Sequence, residues 1–282
     1  MSQPVPTTAA GADGLRALRS DPAHAVVGLD FDGTLAPIVD DPARAAPAAG
    51  ARDAIARLAA RVGVVAIVTG RPAAAAVELL GLDRGAPLPV EVLGHYGLER
   101  WTPSGGITRK QDVEEADVAG ARSELPGLLL RVGSPPGTAI EDKGESVAVH
   151  VRRAADPQAA LDLLREPLTA LATDHGLRIE PGRFVFELRP VGVDKGLALE
   201  GLAAELGATV VCYAGDDLGD LAAFDAVDRL RARGVAGFTI CVVSNTGSDS
   251  VPQLAARADL VVESPRALVD LLDQFSDSLE RR

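Results

Sequence analysis

Apolar residues in this chain fall into short continuous runs separated by stretches where they recur every three or four positions. The runs at 24–30, 63–68, 90–93, 209–214, 238–243 and 260–262 are rich in Val, Ile, Leu and Ala and show no polar alternation, which is the pattern of strands buried on both faces. Between them, residues 50–61, 72–80, 194–206, 218–233 and 265–275 carry the spacing of amphipathic helices. The helix at 72 is expected to open on proline at a first-turn position. Strands alternating with helices in this way predict an α/β fold, a parallel sheet covered on both faces.

The rhythm breaks between 103 and 190. A charged helix over 109–131, interrupted near Pro126, is followed by strands at 138–141 and 146–151, a helix at 157–175, and strands at 177–179 and 184–188. That αββαββ order suits an antiparallel sheet with two helices on one face. Thr-Pro-Ser-Gly-Gly at 102–106 and Arg-Pro-Val-Gly at 189–192 supply the proline and glycine expected of hinges. The expected organisation is a flexible tail at 1–22, a core of 23–102 and 191–282, and a domain of 103–190 inserted into it.

Composition narrows the function classes. With 282 residues, 47% of them hydrophobic and only 3% aromatic, the chain can bury a large core built from small aliphatic side chains. A formal charge of −12 and the lack of a basic stripe argue against nucleic acid and anionic membranes as partners. They leave room for a small phosphorylated substrate, which needs only local positive charge. Cys212 and Cys241 lie in apolar runs, so a reducing, cytoplasmic setting is expected and a structural disulfide is not. The first ten residues lack a basic start and an apolar stretch, which favours a frayed end over a signal peptide. No run approaches the roughly 18 apolar residues of a membrane span.

Candidate chemistry sits where the strands end. Residues 28–36 read Gly-Leu-Asp-Phe-Asp-Gly-Thr-Leu-Ala, so Asp30 and Asp32 project the same way from a strand's carboxyl end, where open α/β sheets bind ligands. One carboxylate of such a pair suits a hard divalent metal, and the other can serve as general acid and base. Thr69-Gly70-Arg71 offers a hydroxyl and a backbone N–H to a phosphate oxygen beside a helix N-terminus. Lys195, in Asp194-Lys195-Gly196, opens a helix against the macrodipole and calls for an anionic partner. Gly215-Asp216-Asp217-Leu218-Gly219-Asp220 gathers acids at a strand end, a costly arrangement unless they surround a cation. Singly these strings also read as a turn, a helix cap and a surface lysine; together with Asp30 and Asp32 the acids suit octahedral magnesium that keeps several waters.

The ordered set Asp-x-Asp-Gly-Thr-Leu, Thr-Gly-Arg, Asp-Lys-Gly and Gly-Asp-Asp-x-x-Asp resembles the haloacid-dehalogenase (HAD) superfamily of aspartate-nucleophile phosphatases. A finer resemblance, to the trehalose-6-phosphate phosphatase family, rests on Leu-Asp-Phe-Asp-Gly-Thr-Leu-Ala-Pro-Ile at 29–38, Gly-His-Tyr-Gly-Leu-Glu at 94–99, Ile-Glu-Asp-Lys-Gly-Glu-Ser-Val-Ala-Val-His at 140–150, and Phe-Glu-Leu-Arg-Pro-Val-Gly-Val-Asp-Lys-Gly at 186–196.

The resemblance implies a Rossmann-like core with an inserted α/β cap closing over the site. It implies Asp30 as nucleophile, Asp32 as acid and base, and magnesium held by the Asp30 carboxylate, the Asp32 main-chain carbonyl and the Asp216 carboxylate, with Asp217 or Asp220 reaching it through water. Thr69, Gly70 and Lys195 would bind the phosphoryl oxygens; Glu141, Lys143 and Glu187 would contact the sugar, with His95 and His150 behind them. Gly219-Asp220-Leu221 departs from the family's Thr-Asp-Glu, so a carboxylate supporting the metal is expected to be missing, and replacing Asp220 is expected to be milder than replacing Asp216. The implied substrate is trehalose 6-phosphate, made by a separate synthase. Other readings are a HAD phosphatase for sucrose phosphate, a mannosyl-glycerate phosphate or a hexose phosphate, and a catalytically silent sugar-phosphate-binding module.

Overall fold

The computed structural model describes residues 5–39, 44–84, 87–109, 116–182, 184–243 and 252–280. It divides into two compact units, Met1–Arg109 with Asp194–Arg282, and Lys110–Val193. In chain order the first unit runs α1 (Ala9–Ser20), β1 (Ala25–Leu29), α2 (Ala51–Ala59), β2 (Val64–Val68), α3 (Ala73–Leu80), β3 (Val90–Gly94), β4 (Glu99–Thr102) and β5 (Gly106–Arg109). The second unit is α4 (Val118–Arg131), β6 (Ala139–Asp142), β7 (Val147–His150), α5 (Pro157–Asp174), β8 (Leu177–Gly182) and β9 (Val185–Pro190). The first unit resumes with α6 (Lys195–Glu205), β10 (Val210–Gly215), α7 (Leu221–Ala232), β11 (Ala236–Val242), α8 (Pro252–Arg257), β12 (Leu260–Val262) and α9 (Pro265–Glu280).

Among the described residues, the first unit's strands form one sheet in the order β12-β11-β10-β1-β2-β3-β4-β5. It is parallel from β12 to β3, and β4 and β5 add an antiparallel edge. The apolar runs bury both faces, and their period of two splits the core. Val27, Leu29, Val65 and Ile67 join Leu15, Leu18, Ile55, Leu58, Leu272 and Phe275 from α1, α2 and α9. Val26, Val64, Ala66 and Val68 join Leu199, Leu202, Phe224, Val227 and Leu254 from α6, α7 and α8. Chain order reverses at β1, which lies between β2 and β10, and a crevice at such a switch point is where doubly wound sheets place ligands.

Four expectations change here. Within the expected tail, Ala9–Ser20 form α1, which is capped by the Thr8 hydroxyl and buries Leu15 and Leu18. Its Gly11 and Gly14 make it a weak helix by propensity, yet a Cβ at Gly14 would sit 2.2 Å from the Gly237 carbonyl oxygen, so the glycine is what lets α1 lie on β11. Residues 102–106 form the turn of the β4–β5 hairpin, pairing Trp101 with Ile107, so the strands of the first unit extend to Arg109. The charged helix begins at Val118, capped by Asp117, and runs unbroken through Pro126; 110–115 lie outside the described residues. Pro72, expected inside the first turn of α3, precedes it as the N-cap.

The second unit is an antiparallel sheet in the order β6-β7-β9-β8. Val147, Val149, Phe186 and Leu188 pack with Leu125, Leu164 and Leu168 of α4 and α5. Alternation sends Glu141, Glu187 and Glu180 to the opposite face, in one row through Ala148. No helix among the described residues is long and apolar enough to cross a membrane.

Candidate active site

The ends of β1, β2 and β10 and the start of α6 converge on one cluster. β1 passes directly into Asp30, whose N–H continues the ladder to the Ala214 carbonyl of β10 at 2.9 Å. Phe31 points into the core, fully buried, so Asp30 and Asp32 share the other side. The chain then turns: Leu35 and Ala36 donate to the Phe31 carbonyl, and Gly33 donates to that of Ala36. Gly33 has φ +82°, and a Cβ there would lie 1.9 Å from Oδ2 of Asp216; only glycine lets this turn and β10's acid approach so closely.

Asp194 caps α6 through the Leu197 N–H at 2.8 Å, and this start places Lys195 in the interior. Its ammonium lies 2.7 Å from Oδ1 of Asp30 and 2.8 Å from Oδ1 of Asp220. Asp220 also accepts from the Tyr213 hydroxyl at 2.7 Å and from the backbone N–H groups of Asp216 and Asp217 at 2.9 and 3.1 Å. Asp216 accepts from the Thr34 hydroxyl at 2.7 Å.

The charges in this cluster oppose burial unequally. Burial drives the Asp30 carboxyl well above its ordinary range, with the Asp220 and Asp217 charges adding and Lys195 opposing. Burial, then the charges of Asp30 and Asp220, raise Asp216 in the same way. For Asp220, burial is overcome by Lys195 and the hydrogen bonds, and its carboxyl is held below its usual value. Burial would lower Lys195, but Asp220 and Asp30 outweigh it and keep it charged.

Oxygens of Asp30, Asp216 and Asp220 lie within 4.8 Å of one another. Three buried carboxylates against one ammonium fit a divalent cation. Asp220 has its oxygens committed to four donors, so Asp30 and Asp216 are the side chains placed to ligate it. Asp220, expected to reach a metal through water, is instead engaged by Lys195, Tyr213 and two backbone N–H groups, and Leu221 offers no carboxylate beside it.

Asp32 is held by Arg71. Arg71 donates to it from Nε at 2.7 Å and from Nη2 at 2.6 Å, with the guanidinium 5.3 Å from the centre of the Phe31 ring. Thr69 is buried at the end of β2 and its hydroxyl accepts from the Arg71 N–H at 3.1 Å, leaving its proton to donate. His95 is buried with Nε2 4.0 Å from a Glu99 oxygen, the setting of a structural residue.

In the second unit, Lys143 and Ser146 donate to Glu187 at 3.1 and 2.6 Å, and His150 Nε2 lies 2.7 Å from Glu141. Glu141, Lys143, Glu187 and His150 thus gather on the sheet face opposite the helices. Sequence reasoning missed Tyr213, Thr34, Arg71 and Ser146. Thr34, Arg71 and Ser146 stood inside quoted motifs, where their chemistry could have been weighed; Tyr213, in an apolar strand, carried no local signal.

Comparison with known proteins agrees with this architecture. The chain matches the trehalose-phosphatase family over residues 28–261. It is 36% identical over 278 residues to a trehalose-phosphate phosphatase of Mycolicibacterium paratuberculosis, covering 96% of this chain and 66% of that protein, so it spans somewhat under two thirds of the relative's length. Its fold resembles the C-terminal domain of Candida albicans trehalose-6-phosphate phosphatase, with a TM-score of 0.74 at 20% identity over 98% of this chain and 99% of that one. It also resembles a haloacid dehalogenase-like hydrolase from Bacteroides thetaiotaomicron, with a TM-score of 0.62 at 14% identity over 89% of this chain and 99% of that one. With a HAD-type parallel sheet, the acids at its switch point and the family match across most of its length, the chain belongs to the trehalose-phosphatase family.

Proposed function

We propose that this protein hydrolyses trehalose 6-phosphate to trehalose and phosphate through an aspartyl-phosphate on Asp30. The observation that supports this most is the buried Lys195 ammonium between Asp30 and Asp220, which places a fixed positive charge beside a carboxylate at the switch point. Asp30 attacks phosphorus in line with the leaving sugar oxygen, and Asp32 gives that oxygen a proton. Asp32, now a carboxylate, takes a proton from water, which attacks the aspartyl-phosphate and frees Asp30. Lys195, the Thr69 hydroxyl and the Gly70 N–H hold the phosphoryl oxygens through both steps, stabilisation of the kind that dominates phosphoryl transfer. Magnesium, held by the carboxylates of Asp30 and Asp216 and the main-chain carbonyl of Asp32, supplies neutralising charge when bound.

Arg71 fixes the rotamer of Asp32 before substrate arrives, and the bridging sugar oxygen, which accepts the proton of Asp32, takes the place of one of the Arg71 donors. In the second unit, Glu141, Lys143 and Glu187 contact sugar hydroxyls, and His150 orients Glu141. The substrate is the product of a trehalose-phosphate synthase, and the two buried thiols suit a cytoplasmic setting. Phosphate release from trehalose 6-phosphate, sucrose phosphate, a mannosyl-glycerate phosphate and glucose 6-phosphate, with and without magnesium, tests this reading. Preference for trehalose 6-phosphate supports it; preference for another sugar phosphate removes the substrate, and release from none removes the activity.

A further inference from the structure

The turn after β3 is strained where nothing in the proposed chemistry requires it. His95 and Tyr96 have φ of 47° and 59°, and Gly97 follows at 96°, so two consecutive bulky residues occupy the left-handed region. Such strain persists only where surrounding contacts hold it, and here those contacts go to the two elements assigned to the phosphoryl group.

On one side the turn follows the Thr69-Gly70-Arg71 loop at alternate residues. Thr69 donates its N–H to the Leu93 carbonyl at 3.0 Å, and Tyr96 and His95 donate theirs to the carbonyls of Thr69 and Arg71, each at 2.9 Å. Glu99 then accepts from the Ala73 N–H at 2.8 Å, at the start of α3. The Tyr96 ring lies against Gly70: a Cβ on Gly70 would fall 2.6 Å from the phenol oxygen and 2.7 Å from the carbon bearing it. On the other side, a Cβ on Gly97 would fall 2.7 Å from that of Ala198, in the first turn of α6 just beyond Lys195. The turn therefore touches both the Thr69–Gly70 donors and the helix start that carries the ammonium.

We propose that the turn at 94–97 is a brace that sets the spacing between the Thr69-Gly70-Arg71 loop and the first turn of α6, with Tyr96 as its positioning residue. The inference rests on the phosphatase reading, because it takes Thr69, Gly70 and Lys195 as the phosphoryl-binding groups. Tyr96 acts through the Gly70 backbone: its ring stops the loop from closing onto β3, and the strained backbone gives its N–H the direction that reaches the Thr69 carbonyl. Displacing those donors by a fraction of an ångström weakens them toward any phosphoryl group, whatever the alcohol attached.

The test compares Tyr96→Asn, Tyr96→Phe, Gly70→Ala and the Gly70→Ala/Tyr96→Asn double variant. Asparagine tolerates positive φ, so it keeps the turn while removing the ring. Tyr96→Asn is expected to lower kcat about ten- to a hundredfold, by the same factor on p-nitrophenyl phosphate and trehalose 6-phosphate, and to weaken inhibition by inorganic phosphate. Tyr96→Phe keeps the ring and stays near the wild-type rate. Gly70→Ala alone is severe, and the double variant is no slower than Tyr96→Asn, because the new methyl enters the space the phenol left.

Wild-type kcat in Tyr96→Asn, a loss confined to KM for trehalose 6-phosphate, or simple multiplication of the two losses in the double variant overturns the brace. If the unaltered chain releases phosphate from neither substrate, the phosphatase reading fails by itself. The brace is then read from calorimetric binding of inorganic phosphate with magnesium, which Tyr96→Asn must weaken; equal binding rejects it.

Discussion

The ammonium of Lys195 and the carboxylate of Asp220 meet at 2.8 Å in the interior, and the same ammonium reaches Asp30 at 2.7 Å. One buried cation thus ties the base of the site to the residue proposed as nucleophile. Removing Asp220 leaves the Tyr213 hydroxyl and the N–H groups of Asp216 and Asp217 buried without their acceptor and halves the pairing of Lys195, at a cost of about 3–5 kcal/mol. Asp220→Ala is therefore expected to lose roughly that much in urea unfolding and to be inactive, with Lys195 released from its position. Stability within about 1 kcal/mol of the unaltered chain together with full turnover would show that Asp220 is dispensable.

Asp32 and Asp30 fail in different ways when changed. Asp32→Asn keeps the Asp30 carboxylate and the main-chain carbonyl of residue 32, so it should still bind beryllium fluoride or vanadate while turnover drops by about two orders of magnitude or more. Arg71→Ala, which frees Asp32 from its two hydrogen bonds, should reduce turnover less, since the acid itself remains. Equal losses of inhibitor binding in Asp32→Asn and Asp30→Asn would contradict this division of roles.

Metal dependence carries a pH signature. Burial and the neighbouring acids hold the carboxyls of Asp30 and Asp216 above their ordinary range, so protons compete with the cation as pH falls through those raised values. The magnesium concentration needed for half activity should rise as pH falls through those raised values and level off above them. Chelator should stop turnover, magnesium restore it, and calcium inhibit, because its higher coordination number recruits the second oxygen of Asp30. Asp216→Ala should raise the magnesium requirement or eliminate activity. Full activity in excess chelator would remove the metal from the account.

The polar face of the second unit should matter for the sugar and not for the phosphoryl group. Glu141→Ala, Lys143→Ala and Glu187→Ala are each expected to reduce kcat/KM for trehalose 6-phosphate about tenfold or more and to leave p-nitrophenyl phosphate nearly unchanged, as remote binding energy is used to orient the reacting group. Equal losses on both substrates would show that Glu187 and its partners Lys143 and Ser146 hold the sheet together instead.

Much of this was legible in the sequence because the parallel strands are buried on both faces. Val64–Val68 and Val210–Gly215 have no polar position that would confuse a strand with a surface helix, and their ends fall where the motifs begin. The elements that went unread depend on partners far along the chain. Helix α1 exists because Gly14 fits against Gly237 and because Thr7 donates to the Asp259 carbonyl at 2.8 Å, contacts that local propensity does not encode. The β4–β5 hairpin hid its turn in a proline- and glycine-rich stretch that also suits a hinge. At the site, Asp30, Asp216 and Lys195 were readable as charges at strand and helix ends. Asp220 was read there as one more acid near the metal, but not its hydrogen bonds from Tyr213 and Lys195, which form only in three dimensions.

The central claim is that Asp30 carries the phosphoryl group on its way from trehalose 6-phosphate to water. Its most direct test is rapid-quench mass spectrometry of the protein mixed with trehalose 6-phosphate and magnesium, with parallel release of inorganic phosphate. The account predicts a transient gain of one phosphoryl group on the peptide containing Asp30, formed and lost at rates compatible with turnover and absent in Asp30→Asn. Phosphate release at the wild-type rate from Asp30→Asn, or a phosphoryl group trapped on any other residue, would contradict it.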